Sequence, residues 1–395
     1  MKSEWRTVAL GSVADLTVGF VGTMASNYTE TGIPFLRSTN IEPFDIKLDD
    51  IKYISSNFNE SLRKSELHPN DVVIVRTGTP GACAVIPAGV KAWNCSDLVI
   101  VRPHRNKLNP LFLASYVNLA SGVINTQLVG AVQQHYNVGA AKKMQIPLPP
   151  IGEQDKIASI IGMLNKKITI NSKINDNLEQ QAATYFQELF INNANPVWQI
   201  STISDLGTVV GGSTPSKTKP EYYTNNGIAW ITPKDLSINK SKFISHGEND
   251  ITELGLKNSS ATVMPKGTVL FSSRAPIGYI AIASNEVTTN QGFKSVIPYS
   301  EIGTAFVYFF LKRSLPVIES AASGSTFKEI SGSAMKNIPA IIPDRNTLDQ
   351  FNSFCAPIFA QQKILEEQNH SLAMLRDSLL PKLMSGAIDI ASIQL

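Results

Sequence analysis

Apolar positions along this chain follow two rhythms. From Ile157 they alternate steps of three and four through Ile161, Leu164, Ile168, Asn171, Asn175, Leu178, Ala182, Tyr185 and Leu189. From Leu348 nearly the same rhythm runs through Phe351, Cys355, Ile358, Gln362, Leu365, Asn369, Leu372, Leu375, Leu379 and Leu383. Such spacing lays one apolar seam along a helix, as in a coiled coil. A helix over 153–191 would be roughly 58 Å long at 1.5 Å per residue. One stripe cannot be buried by a lone helix, so the simplest partner for each is the other, as an antiparallel pair. Asn175 and Asn369 fall inside the seams, where a polar side chain costs stability but fixes register. Pro357 is expected to begin the straight part of the second helix, and Pro381 to kink or end it.

Elsewhere the apolar runs are short and punctuated by Gly, Pro and Asn. DVVIV (71–75), DLVIV (97–101), TVLF (268–271) and YIAIA (279–283) predict buried strands in a turn-rich sheet. Short helices are predicted over 110–120 and 304–313.

The two halves match in order. Trp5 opens WRTVALGSVADL and Trp198 opens WQISTISDLGTVV. GIPFLRS (32–38) answers GIAWITP (227–233), and 69–87 answers 265–283. IPLPP (146–150) answers IPAIIP (338–343), and a long helical pattern follows each. The offset stays near 193 residues, which marks a tandem duplication. The fold class expected is mixed α/β (α+β): two similar lobes joined by two long antiparallel coiled-coil helices, with pseudo-twofold symmetry. Its parts are a first lobe (1–150), a central helix (151–195), a second lobe (196–343) and a C-terminal helix (344–395).

Composition narrows the function classes. A chain of 395 residues is too long for one ordinary core. No apolar run approaches the ~20 residues of a membrane span, and the N-terminus lacks a secretory core. Cys83, Cys95 and Cys355 are odd in number and lack CxxC spacing. That argues against a disulfide framework or a zinc site and for a reducing cytoplasm. Residues 1–150 carry 14 Lys and Arg against 11 Asp and Glu, and residues 196–343 carry 13 against 10. Two mildly basic blocks suit a polyanion, although charge this slight also fits ordinary surface. No dinucleotide fingerprint, phosphate loop, HExxH or nucleophile elbow is present. Nor is the Asn-Pro-Pro-aromatic loop of adenine methyltransferases, because Leu148 precedes Pro149-Pro150.

Several segments carry a family likeness. GGSTPSK (211–217), GIAWITPKDL (227–236), LFSSRAPIGYIAIA (270–283) and NQGFKSV (290–296) form one set. IPLPPIGEQDKIASII (146–161) and LRDSLLPKLMSG (375–386) form another. In this order, and over essentially the whole chain, they resemble the specificity subunits of type I restriction-modification systems. The first lobe matches less well: RTGTPGACAVIP (76–87) keeps an Arg-x-Gly-x-x-Gly pattern, but WNCSDLVIV (93–101) lacks the Asn-Gln-Gly of the second.

The resemblance implies two target-recognition domains that bind double-stranded DNA, and no cofactor or reaction in this chain. It implies two modification subunits that carry S-adenosylmethionine and methylate adenine in each half-site. Restriction subunits would add ATP- and Mg-dependent translocation and cleavage. The recognised site would be bipartite, and asymmetric because the lobes differ. The exposed faces of the long helices would dock the modification subunits. The alternative is a scaffold that bridges protein partners without reading DNA.

Candidate DNA contacts are polar or aromatic residues in loop-like stretches. In the first lobe they are Arg37, Ser38, Arg76, Thr77, Gln133, Gln134, His135 and Tyr136, with Lys142 and Lys143 for phosphate. In the second they are Thr232, Lys234, Arg274, Gln291, Lys294, Thr326, Phe327 and Lys328. Arg76 and Arg274 occupy matching places, so a structural or phosphate role competes with base reading there. Lys217, Lys219, Lys240 and Lys242 read as solvated surface.

Overall fold

The computed structural model describes residues 5–128, 137–324, 328–388 and 390. They gather into two compact units, Met1–Thr169 with His370–Leu395, and Ile170–Asn369. Each unit takes one lobe and part of both long helices.

In the first unit the strands Cys83–Val85, Val72–Val75, Leu98–Pro103 and Ala14–Val18 lie side by side in that order, antiparallel throughout. Val72, Val73, Ile74 and Val75 are all fully buried. A strand covered on both faces reads as a continuous apolar run rather than an alternating one. Val72, Ile74, Val99 and Val101 pack with Phe112, Leu113 and Val117 of the helix Pro110–Leu128, and with Ile157, Ile161, Leu380 and Leu383 of the long helices. Val73, Val75 and Ile100 face the other way, onto Leu36, Leu67 and Cys95 of a second sheet. That sheet has the order Tyr28–Thr29, Lys52–Ile54, Ile33–Leu36, Trp93–Cys95, Glu66–Leu67.

The second unit repeats this plan. Its main sheet has the order Gly207–Gly211, Lys294–Pro298, Val269–Ser273, Ile277–Ala283, with Phe243–Ile244 added at the edge. A smaller sheet holds Tyr223–Thr224, Asn249–Ile251, Ile228–Ile231 and Thr288–Thr289. The repeat reaches single bonds. Arg6–Ala9 pairs with Gln145–Leu148 as Gln199–Thr202 pairs with Pro339–Ile342. Trp5 donates its ring N–H to Glu153 at 3.0 Å, and Trp198 donates to Asp344 at 3.0 Å.

The long helices are Ile151–Gln187, continued by a π turn over Glu188–Asn192, and Arg345–Met384. The first is tied at its start by Gln154, which is fully buried. Its amide donates to the carbonyls of Lys107 and Pro149 and accepts from the Asn109 N–H, all at 2.9 Å. The second helix begins at Arg345, about three turns before Pro357, and runs unbroken through it. A proline costs a helix one backbone bond, but buried Phe351, Cys355 and Ile358 hold the turns around it. The helix does end one turn past Pro381.

Both ends of the seams are apolar and the middle is polar. Within the second unit Asn171, fully buried, donates to Gln368 at 3.3 Å. Asn369 donates to Ser172 at 3.2 Å, and Gln362 donates to the Asn175 carbonyl at 3.1 Å. Asn171 and Ser172 meet Gln368 and Asn369, whereas Asn175, a turn further on, meets Gln362, two turns further back, so the helices are antiparallel there. Leu375 leaves the seam and is 46% exposed. Arg376 turns inward instead, donating to Asn165 at 3.0 Å with its guanidinium 5.0 Å from the Phe44 ring centre. The ring's negative face favours the cation over a leucine. Lys242 also departs from its expected place on the surface: its side chain is only 5% exposed.

The polar layer makes a testable trade. Asn171 keeps a buried side-chain oxygen without a partner. Asn171→Leu is expected to stabilise the second unit by about 1 kcal/mol, because an unsatisfied buried group is removed. A lower melting midpoint would show instead that the bond to Gln368 is a net gain.

Candidate nucleic-acid interface

In each lobe two parallel strands end together beside the end of the innermost strand of the main sheet. In the first lobe Ile33–Leu36 runs parallel to Trp93–Cys95, and Ser96 donates its N–H to Leu36 at 3.0 Å. In the second, Ile228–Ile231 runs parallel to Thr288–Thr289, and Asn290 donates to Ile231 at 3.0 Å. The next residues are Arg37 and Asp97 in the first lobe, and Thr232 and Gln291 in the second. The innermost strands, Val72–Val75 and Val269–Ser273, deliver Arg76 and Arg274 to the same ends.

The first lobe is closed by ion pairs. Arg76 meets Asp97 at 2.8 Å, and the Thr77 hydroxyl donates to the same carboxylate at 2.9 Å. Arg37 donates to the Asp50 backbone carbonyl at 2.5 Å and to its carboxylate at 2.7 Å. Hydrogen bonds from Arg37 and Lys52 hold the Asp50 carboxyl down to about 2, so it stays charged across any ordinary assay. Ser38 opens the short 3-10 turn Ser38–Asn40. The structure thus brings Arg37, Ser38, Arg76 and Thr77 to one end of the lobe. Lys142 and Lys143 are exposed at the end of the helix Val138–Lys143. Lys142 lies beside Gly11, away from the strand ends that carry the arginines. Gln133, Gln134, His135 and Tyr136 lie outside the described residues.

The second lobe is more open. Arg274 meets Glu329 at 3.3 Å, and Lys294 meets the other oxygen of that carboxylate at 3.6 Å. Lys328, next to it in the chain, is exposed. Gln291 is exposed and accepts a hydrogen bond from the Thr214 hydroxyl. The loop that carries Thr214 is pinned: Ser213 donates its N–H to the Thr289 carbonyl at 2.9 Å and accepts from the Trp230 ring at 3.0 Å. Gly212 sits so close to the Thr289 side chain and the Asn290 carbonyl that no side chain fits there. Thr232 caps the helix Pro233–Ile238, and its hydroxyl is spent on Asp235 at 2.6 Å. Lys234 is paired with Glu248 at 2.6 Å on the surface. Thr326 and Phe327 lie outside the described residues.

Three carboxylates paired with the candidate arginines escaped sequence reasoning: Asp97, Glu329 and Asp50. A search for donors and aromatics passes over carboxylates, although Asp97 stands inside a segment that marked the lobes' divergence. No group of three or more His, Cys, Asp and Glu is arranged to hold a metal among the described residues. All three cysteines are buried and free, and burial pushes the Cys355 thiol up to about 12. No described helix is long and apolar enough to cross a membrane.

Each unit thus holds a copy of one scaffold, and the two copies present different side chains at the same strand ends. The type I restriction modification DNA specificity domain matches residues 2–180 and 196–369, and the chain belongs to that family. It is 43% identical over 162 residues to the MjaIX specificity subunit of Methanocaldococcus jannaschii, which is 40% of this chain and 37% of that one. It is 28% identical over 194 residues to the HindI specificity subunit of Haemophilus influenzae, 48% of this chain and 42% of that one. These two matches thus span less than half of each relative. A longer match, 21% identical, covers 93% of this chain and 90% of the putative MjaX specificity subunit of M. jannaschii. The crystal structure of the type I restriction-modification S subunit from M. genitalium shares the fold, with a TM-score of 0.60 at 15% identity over 96% of each chain. The scaffold alternative finds no support in these relatives.

Proposed function

We propose that this chain is the non-catalytic DNA-specificity subunit of a type I restriction-modification complex and reads a bipartite, asymmetric duplex site. One observation carries the reading: at one place in the repeated scaffold the first lobe has Asp97 and the second has Gln291-Gly292. Different polar groups on one scaffold are what two different DNA words require. Gln291, Arg274, Lys294 and Lys328 form the second reading edge. Arg37, Ser38, Arg76 and Thr77 form the first, with Thr232 and Lys234 supporting the second. Lys142 and Lys143 serve phosphate. Gln133, Gln134, His135, Tyr136, Thr326 and Phe327 fall in corresponding stretches of the two halves and complete the proposed contacts.

Two modification subunits, carrying S-adenosylmethionine, would methylate adenine in each half-site. Restriction subunits would supply ATP- and Mg-dependent cleavage, all in the cytoplasm. The test is methylation mapping on randomised duplex DNA, with this chain purified beside its modification subunit. The expected result is a two-part site in which one word changes, and the other does not, when residues 1–150 are exchanged for those of a relative. Methylation at the same site without this chain would refute the proposal.

A further inference from the structure

We infer that Asp97 and Glu329 are positioning residues for DNA recognition, each holding the strand-end arginine of its lobe, Arg76 or Arg274, in the pose that meets DNA. This rests on the DNA-binding reading above and adds to it a role for two carboxylates.

The arrangement occurs twice with different parts. Arg76 and Arg274 each follow the innermost strand of their sheet. Asp97 comes from the link before the strand Leu98–Pro103, whereas Glu329 lies beyond the helix Thr304–Ala321. The carboxylates occupy different positions of the repeat, so duplication alone does not account for both pairs. Stability does not account for them either. Arg274 and Glu329 are each more than a third exposed, and Arg76, at 15%, is paired with an Asp97 that is 39% exposed; ion pairs with so exposed a partner contribute little to folding.

Local geometry supports a built device. Asp97 has φ 53, and Ala275, next to Arg274, has φ 54. Asp tolerates this left-handed region, but alanine does not favour it. Strained backbone of this kind persists where the surroundings enforce it, commonly at functional sites. The Arg76 Nε is buried without a partner, and the Thr77 hydroxyl braces the far oxygen of Asp97. In the second lobe Arg274 and Glu329 are also joined as a backbone bridge, and Lys294 shares the carboxylate.

The physical effect follows from the guanidinium. It carries five donors in a rigid fork, so one edge can bind a carboxylate while another meets acceptors on a guanine edge. A held arginine loses less freedom on binding. The same carboxylate repels phosphate, which weakens contact with DNA of the wrong sequence. The two effects move opposite quantities when the charge is removed.

The experiment uses the full-length chain with its modification subunits, a fully randomised duplex pool, and the wild-type site recovered from that pool. Asp97→Asn and Glu329→Gln are expected to raise affinity for non-specific duplex a few-fold. Each should lower the specific-to-non-specific ratio by about 10-fold, the size of one weakened base contact. Asp97→Asn should blur only the word that changes with exchange of residues 1–150, and Glu329→Gln only the other. Melting of both variants should match the wild type, and a specificity loss that tracks lost folded protein would overturn the inference. Unmoved ratios with normal wild-type binding overturn it too and leave the DNA reading intact. A wild-type complex without salt-sensitive DNA binding overturns both.

Discussion

Replacing Lys242 with methionine is expected to destabilise the second unit by about 3 kcal/mol, the lower part of the range for removing one partner of a buried ion pair. The Lys242 side chain is 5% exposed, and its ammonium is ion-paired with Glu179 and donates to Gln362 at 2.6 Å. It also lies 4.0 Å from the Phe359 ring centre and 4.8 Å from that of Tyr308. The variant strands Glu179 in a half-dry site where the Tyr308 hydroxyl donates to it at 3.2 Å and, among the described residues, Lys312 at 2.6 Å is its remaining cation. That remaining partner is why the cost stays near the lower end. Denaturant unfolding at neutral pH reads the loss, and a change below about 1 kcal/mol would place the pair among surface contacts.

The same site sets an acid dependence. Burial alone would raise the Glu179 carboxyl, but Lys242 and Lys312 outweigh it and hold its pKa below the ordinary value of 4.5. A depressed carboxylate stabilises the fold above its unfolded pKa and loses that contribution as pH falls through the folded one. Below pH 4.5, therefore, the second unit should weaken. Glu366, which accepts from the backbone N–H groups of Lys242 and Phe243, has its pKa raised by burial and works in the opposite sense. The comparison of wild type with Lys242→Met isolates the pair, because the variant has less Glu179 stabilisation to lose.

Phe351→Ala is expected to cost the second unit about 3–5 kcal/mol and to leave the first unit's transition in place. Phe351 is fully buried, with the rings of Tyr185, Phe186, Phe190 and Phe309 all within 6.0 Å. The side chains that would fill the hole are themselves large rings fixed by one another, so collapse is poor and the cost is high. Ile157, its counterpart in the repeat, packs in the core of the first unit. Ile157→Ala should cost about 2–5 kcal/mol there and spare the second. Calorimetry of the two variants tests this directly. Equal shifts of one shared transition in both would mean that the units unfold as one.

The sites of these substitutions separate what was legible from what was not. Phe351 and Ile157 were visible as seam positions because a helix converts spacing in the chain into position on a face, and burial follows the face. The buried strands were visible for a similar reason, since Val72–Val75 is apolar at every position. The duplication needed only an ordered comparison of segments. Lys242 was misread because nothing local marks a lysine as buried. Its place depends on Glu179, Gln362 and Phe359, which lie 63 or more residues away in the chain. Arg376 takes the inward place of Leu375 against Phe44, in a turn remote in sequence. The proposed reading edges divide in the same way. Their arginines and Gln291 stood in segments that the sequence itself marked by Gly-rich turns and by the repeat. Which carboxylate holds which arginine was decided by the sheets, because Asp97 and Glu329 reach equivalent arginines from unrelated parts of the fold. Periodicity and repetition are short-range or translational properties and survive in one dimension. Charge pairing between distant segments exists only once the chain has folded.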